Sequence, residues 1–314
     1  MNTMKKIPII IDCDPGHDDA IALILAFARE ELDVKAVTVV AGNQTVDKTL
    51  NNAKKILSFI GKHPPLAAGA AKPLVRELVT APLVHGESGL DGPEIPDPDF
   101  DEEPVPALEL LRRTIMESPE KITLVPTGPL TNIALLFSAY PEVKKNIYQI
   151  SLMGGGLEMG NWTASAEFNI FVDPEAANIV FNSGLPITMA GLDVTHRAMI
   201  LPEEVDKLRN MGGKVPALVA GLIDFYGKFH AMQGSFAGSP LHDPCAVAWL
   251  VRPEIFSAKP YRIDIETSGV HTAGMTLSDN RPWTDAKPNA LVLLDLDRQA
   301  FIDILFDACK SYLP

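Results

Sequence analysis

The chain has 314 residues, 46% of them hydrophobic, and a formal net charge of −13, enough length for a large core in one or two domains. No apolar run reaches the roughly 18 residues of a membrane span, and an acidic balance without a basic, aromatic-interleaved patch argues against nucleic-acid partners. Cys13, Cys245 and Cys309 are scattered, which suits a reducing cytoplasm and excludes a zinc or redox spacing.

The opening M-N-T-M-K-K-I-P is followed only by the short apolar run at 9–11, too brief for a signal-peptide core, so a cytoplasmic protein is expected. Residues 7–11 read as a buried strand and 20–28 as a helix whose first turn carries Asp18 and Asp19, where a helix N-terminus favours negative charge. A second strand, 34–40, ends in Ala41-Gly42-Asn43, and 49–60 is a helix closed by Gly61. Residues 86–106, rich in Pro, Asp and Glu, read as a long surface loop of the kind that often forms a lid.

Helix 108–116, strand 122–125, helix 132–139 and strand 147–153 follow, then helix 174–181 and strand 186–189. Their connections, Thr127-Gly128-Pro129, Gly154-Gly155-Gly156 and Gly191-Leu192-Asp193, are polar or glycine-rich. Past Pro202 the alternation weakens. A long helix is expected at 215–229, a Gly/Ser-rich turn at 234–240, a helix at 245–251, strands at 261–266 and 291–296, and a closing helix at 299–309. Alternating strands and helices predict an α/β fold with a mostly parallel sheet. Its chemistry belongs at the carboxyl ends of the strands.

Asp12, Asp14, Asp18 and Asp19 fall within eight residues at the first strand-to-helix turn. Carboxylates packed so closely repel one another and lose hydration, which a hard cation or a proton-transfer role explains better than helix capping. The D-x-D spacing at the end of an extended segment makes the first two diverge. Asp18 and Asp19, about 100° apart on a helix, meet one cleft from different sides. Calcium takes roughly six to eight oxygens, and an EF-hand spacing is absent.

His242-Asp243-Pro244 is a second focus, with Pro244 suited to the first turn of a helix and Asp243 near its N-terminus. N-W-T-A-S-A-E-F-N at 161–169 offers amides and carboxylates for vicinal hydroxyls, and Thr127 offers a strand-end carbonyl. The triplet 154–156 lacks the lysine and spacing of phosphate-binding loops. Close backbone approach to a substrate explains it better.

Taken together these segments resemble the inosine-uridine preferring nucleoside hydrolase family, closest to its bacterial pyrimidine-specific members. The motifs are D-x-D-P-G-x-D-D at 12–19, A-G-N at 41–43, H-G-x-x-G-x-x-G at 85–92, T-G-P-L-T-N at 127–132, M-G-G at 153–155, E-F-N at 167–169 and H-D-P at 242–244. They run through nearly the whole chain, and the first is highly specific.

The resemblance implies a Rossmann-like α/β core, a single domain over 1–314, assembled as a homotetramer or homodimer. It implies calcium-dependent cleavage of the N-glycosidic bond of ribonucleosides to ribose and free base. The calcium would be held by Asp14, Asp19, the Thr127 carbonyl and Asp243. Asp18, Asn43, Asn161, Glu167 and Asn169 would hold the ribose, Met153 would line it, and Asp12 would order the metal loop. Asp14 would take the proton of the attacking water. His85 and His242 are the candidate acids for the leaving base, and histidine at both positions favours uridine and cytidine. Tyr226 and His230, four apart on the 215–229 helix and its end, share a face and are candidate base contacts, with Gln233 just beyond.

Three alternatives stand beside this reading. Base preference of the same enzyme extends to broad or purine use. A haloacid dehalogenase-like phosphatase also has a strand ending in D-x-D, but Pro15 and the pairs Asp18-Asp19 and His242-Asp243 do not fit it. A calcium-dependent nucleoside or sugar binding protein would keep the site without turnover.

Overall fold

A computed structural model of the protein describes residues 5–233, 236–279 and 281–314, with the side chain of Gln233 and the first two residues of the 234–240 turn outside the described set. Eleven strands are present: β1 (Ile7–Cys13), β2 (Leu32–Val39), β3 (Leu66–Ala68), β4 (Ile122–Pro126), β5 (Ile147–Met153), β6 (Ile187–Ala190), β7 (Met199–Ile200), β8 (Ser239–Pro240), β9 (Phe256–Ile265), β10 (Thr276–Asp279) and β11 (Ala290–Leu296). Nine form one sheet in the order β10-β9-β11-β6-β5-β4-β1-β2-β3, and β7 pairs β8. From β3 across to β11 every pairing is parallel. The β11–β9 and β9–β10 pairings, at one edge of this sheet, are antiparallel. The expected α/β fold with a mostly parallel sheet is therefore the observed one.

The parallel strands are runs of apolar residues because both faces are covered. In β1 the alternation divides the core: Ile9, Ile11 and Cys13 join one buried cluster and Ile10 the other, as a strand's side chains must point to opposite faces. Helices His17–Ala28, Val46–Phe59, Pro244–Val251 and Arg298–Lys310 cover the first face. Helices Ala107–Glu117, Thr131–Ala139 and Pro174–Phe181 cover the second. Helix Val46–Phe59 ends as its sequence asks. Gly61 has φ +68°, and the amides of Gly61 and Lys62 reach back to the carbonyls of Ser58 and Leu57 at 3.0 and 2.9 Å, the left-handed C-terminal motif that glycine permits.

Several elements differ from expectation. β9 starts at Phe256 rather than 261, because its residues alternate between exposed and half-buried and leave no apolar run to read. β3, three residues long, is recruited by pairing to β2. Helix Pro202–Asn210, polar on most of its surface, and the short helix Phe168–Val172 lie where no helix was expected. Helix Lys214–Gln233 runs beyond both ends of the 215–229 prediction. Residues 86–106 have no regular structure. The segment is fastened by Glu103 N–H to the Leu66 carbonyl at 2.7 Å, Asp99 N–H to Ser58 Oγ at 3.0 Å and Lys54 to Glu102 at 2.8 Å. No described helix is long and apolar enough to cross a membrane.

Candidate active site

The carboxyl ends of β1, β2, β4 and β5 deliver Asp14, Asn43, Thr127 and Met153 to one place. The chain leaves β1 and enters helix His17–Ala28 through Asp14-Pro15-Gly16, and Asp19 stitches that turn. Its Oδ2 accepts from Gly16 N at 3.1 Å and Asn43 Nδ2 at 3.2 Å. Its Oδ1 accepts from Thr127 Oγ1 at 2.8 Å and Asp14 N at 3.4 Å. The acidic residue in the third helical position thus reaches back to the amide before the helix.

Asp12 points the other way, as the D-x-D spacing predicts. Its Oδ1 accepts from Thr38 Oγ1 at 2.5 Å and Asn132 Nδ2 at 2.8 Å, tying β1 to β2 and to the helix after β4. Burial pushes its carboxyl up to about 7, against those two hydrogen bonds, which lower it.

Asp14 faces inward. Oδ2 accepts from Asn43 N at 2.7 Å, and the buried Oδ1 has no hydrogen-bond partner. Two glycines make room for it: a Cβ on Gly42 would stand 2.2 Å from Oδ2, and one on Gly128 would stand 2.5 Å from Oδ1. Neither glycine has a left-handed φ, so space is the reason for both. Gly42→Ala should therefore lower turnover by about a hundredfold, as displacing a reacting group by an ångström does, with the circular dichroism of the folded protein retained. Unchanged turnover would remove Asp14 from the chemistry.

Oxygens of Asp18, Asp19 and Asp243 lie within 4.8 Å of one another. All three are buried. Burial, then the neighbouring carboxylates, pushes Asp18 up to about 7 and Asp243 well above its ordinary value. Burial also raises Asp14, with Asp19, Asp18 and Glu167 adding to it. Buried carboxylates that hold protons for want of a counter-charge, together with an unpartnered Asp14 oxygen, are a donor set that fits a hard divalent cation. Asp18, which the resemblance gives to ribose, stands in this trio. Asp14 stands beside it.

A cleft of ≈ 650 Å³ opens above the acids. Asp18, Asn43, Thr127, Met153, Asn161, Glu167, Asn169, Tyr226, His230, His85, His242 and Asp243 all line it, so the residues read from distant segments are brought together. Glu167 caps the short helix 168–172: its carboxylate accepts from the amides of Gly155, Asn169 and Ile170 at 2.9, 3.0 and 3.2 Å. Asn169 Nδ2 donates to the Thr127 carbonyl at 2.7 Å. Asn161, at the exposed rim, accepts through Oδ1 from Phe168 N at 3.0 Å.

Aromatic and imidazole side chains line the cleft beside the acids. The His85 ring stacks with Tyr226 at 5.5 Å, and Tyr226 meets His230 edge-on at 4.5 Å. Val84, Trp162, Phe168 and Phe229 complete an apolar wall. Burial holds the imidazoles of His85 and His242 well below their ordinary range, and neighbouring histidines reinforce it. Burial first, then Asp18, Asp243 and Asp19, keeps the Tyr226 phenol protonated.

Two contacts here escaped the sequence. His242 Nδ1 lies 2.7 Å from Thr195 Oγ1, and Thr195 follows β6 at its carboxyl end, which is the signal that marked it. His17 occupies the unspecified position of the D-x-D-P-G-x-D-D motif. Its Nδ1 lies 3.0 Å from His85 Nδ1, its Nε2 2.8 Å from the Asp91 carbonyl, and its backbone N 3.2 Å from His85 Nδ1.

A parallel α/β sheet with buried acids converging at its strand ends, beside an imidazole and aromatic wall, defines a metal-dependent enzyme. Residues 9–303 match the family described as inosine-uridine preferring nucleoside hydrolase. The chain is 55% identical over 97% of its length to the pyrimidine-specific ribonucleoside hydrolase RihA of Photobacterium profundum, covering 99% of that relative. It is 52% identical over 98% of its length to the protein of that name from Escherichia coli K12, again covering 99%. Among solved structures, the purine-preferring ribonucleoside hydrolase from Gardnerella vaginalis superposes with a TM-score of 0.91 at 30% identity, over 97% of this chain and 98% of that one. A plant nucleoside hydrolase, the PpNRh1 enzyme, superposes at 0.89 and 30%, over 97% and 99%. The chain belongs to the inosine-uridine preferring nucleoside hydrolase family and is an N-ribosyl hydrolase of ribonucleosides.

Proposed function

We propose that the enzyme is a calcium-dependent hydrolase of pyrimidine ribonucleosides, with uridine and cytidine preferred, that works in the cytoplasm as one unit over the whole chain, assembled as a homotetramer or homodimer. The observation that carries the base preference is the pair His85 and His242, both lining the cleft. The pyrimidine-specific relatives at 52–55% identity support the same choice.

Asp14, Asp19, Asp243 and the Thr127 carbonyl hold the calcium, with Asp18 close enough to join them. When bound, the ion offsets the clustered carboxylates and makes a neighbouring water more acidic. Asp18, Asn43, Asn161, Glu167 and Asn169 bind the ribose hydroxyls, with Met153 against the sugar. Asp14 takes the proton of the attacking water, whose oxygen bonds to C1′ as the C1′–N bond breaks. Positive charge that develops on the ribose is favoured by Asp14, Asp18, Glu167 and Asp243 around it. The bonding pair leaves with the base, which receives a proton from His85 or His242. Tyr226 and His230 form the wall against which the base lies.

Ribose release should be faster from uridine and cytidine than from inosine and adenosine. A time course with the four nucleosides checks this. Equal rates on all four would defeat the pyrimidine preference and leave the family intact. Binding without release from any would favour the non-catalytic reading.

A further inference from the structure

We propose that His17 is a positioning residue for His85, holding its ring so that Nε2 alone addresses the leaving base. The inference rests on the reading of His85 as a group that serves the departing base. His85 stands on the short helix Pro82–His85, on a different segment from the acids, and its Nδ1 is enclosed by His17, 3.2 Å from the backbone N and 3.0 Å from ring Nδ1. An imidazole has two nitrogens, so the second is the one left for substrate.

His17 is itself anchored. The Asp91 carbonyl accepts only, so it keeps a hydrogen on His17 Nε2, 2.8 Å away, which fixes the ring's orientation and leaves its Nδ1 as the acceptor for a hydrogen on His85 Nδ1. The Asp91 side chain in turn folds the loop that presents this carbonyl: it accepts from the amides of Glu87 and Ser88 at 3.0 and 3.1 Å and from Ser88 Oγ at 2.5 Å. The His17 ring also stacks with His85 at 5.3 Å and with Phe225 at 5.1 Å, the latter nearly parallel at 3°. Gly16 is what lets the rings meet, since a Cβ there would stand 2.6 Å from His85 Nδ1. A carbonyl that orients one imidazole, which orients another, is the arrangement that dedicates a ring nitrogen to one task.

Space filling by His17 predicts a different result from positioning, and the leaving group separates them. Uridine needs help for its base to depart, whereas p-nitrophenyl β-D-ribofuranoside releases a phenolate that needs no proton. His17→Phe keeps a stacked ring and removes both nitrogens. It should lower kcat on uridine by about 10- to 100-fold, as loss of an orienting hydrogen bond does, with KM little changed and p-nitrophenyl riboside turnover retained. His17→Asn, with a polar group near the position of Nδ1, should recover part of the uridine rate. In a His85→Ala background His17→Phe should add nothing, because the two act through one group. Equal loss on both substrates in both variants, or full additivity with His85→Ala, would overturn the proposal. Failure of the pyrimidine reading looks different, since it would show in the unsubstituted enzyme as slow uridine cleavage.

Discussion

Asp14→Asn should lower uridine turnover about a thousandfold, the loss that removing a general base brings, while the folded protein keeps its circular dichroism. The substitution is isosteric and removes only the charge and basicity of one carboxyl. The fold does not depend on that charge: Oδ2 accepts a single backbone hydrogen bond, from Asn43, and Oδ1 accepts none. The loop is held instead by Asp19 and Asp12, whose partners lie on Gly16, Asn43, Thr127, Thr38 and Asn132. Activity is measured by ribose release at saturating calcium, so that weaker ion binding cannot imitate the loss. Asp14→Asn turnover within a few-fold of the unsubstituted enzyme would assign the proton to another group.

Calcium should stabilise the protein more at pH 8 than at pH 5. The sign follows from the raised carboxyls. Asp18 titrates near 7 in the folded metal-free chain against an ordinary value of 3.8, and Asp14 and Asp243 are raised in the same direction. Between about 4 and 7 the folded state therefore binds more protons than the unfolded one, so metal-free stability falls as pH rises through that window. A cation competes with those protons at pH 5 and meets ionised groups at pH 8. At a free calcium concentration a hundred times its Kd the gain is about 2.7 kcal/mol, which corresponds to roughly 5 °C in Tm for a chain of this size. Thermal unfolding with calcium and with a chelator at both pH values measures it. A calcium shift that is the same at pH 5 and pH 8 would remove the acid cluster as the binding site.

The acid cluster was legible because its members are neighbours in sequence: four aspartates in one strand-to-helix turn announce their own repulsion. The cleft's imidazole and aromatic wall was legible only as separate motifs, and the structure joined them. What could not be read were pairings between distant segments. His17 and His85 are 68 positions apart, and Thr195 and His242 are 47 apart. Neither His17 nor Thr195 carries a pattern of its own. In the fold, strands buried along their whole length were found nearly to the residue, as with β4. β3 and the start of β9 were not, because their strand character comes from hydrogen-bonding to a neighbour rather than from side-chain pattern.

The cleft draws most of its acids and its aromatic groups from different parts of the molecule. The acids hang from β1, a strand buried on both faces and paired on both sides, whereas Phe225, Tyr226, Phe229 and His230 ride on one helix outside the sheet, Lys214–Gln233. A lineage can therefore retune which base departs by altering side chains of that helix other than Tyr226, which touches Asp18. Gly16 is where this independence stops. There the acid turn and the imidazole wall press directly on each other, as they also do where Tyr226 meets Asp18, and a side chain gained at Gly16 would change both at once.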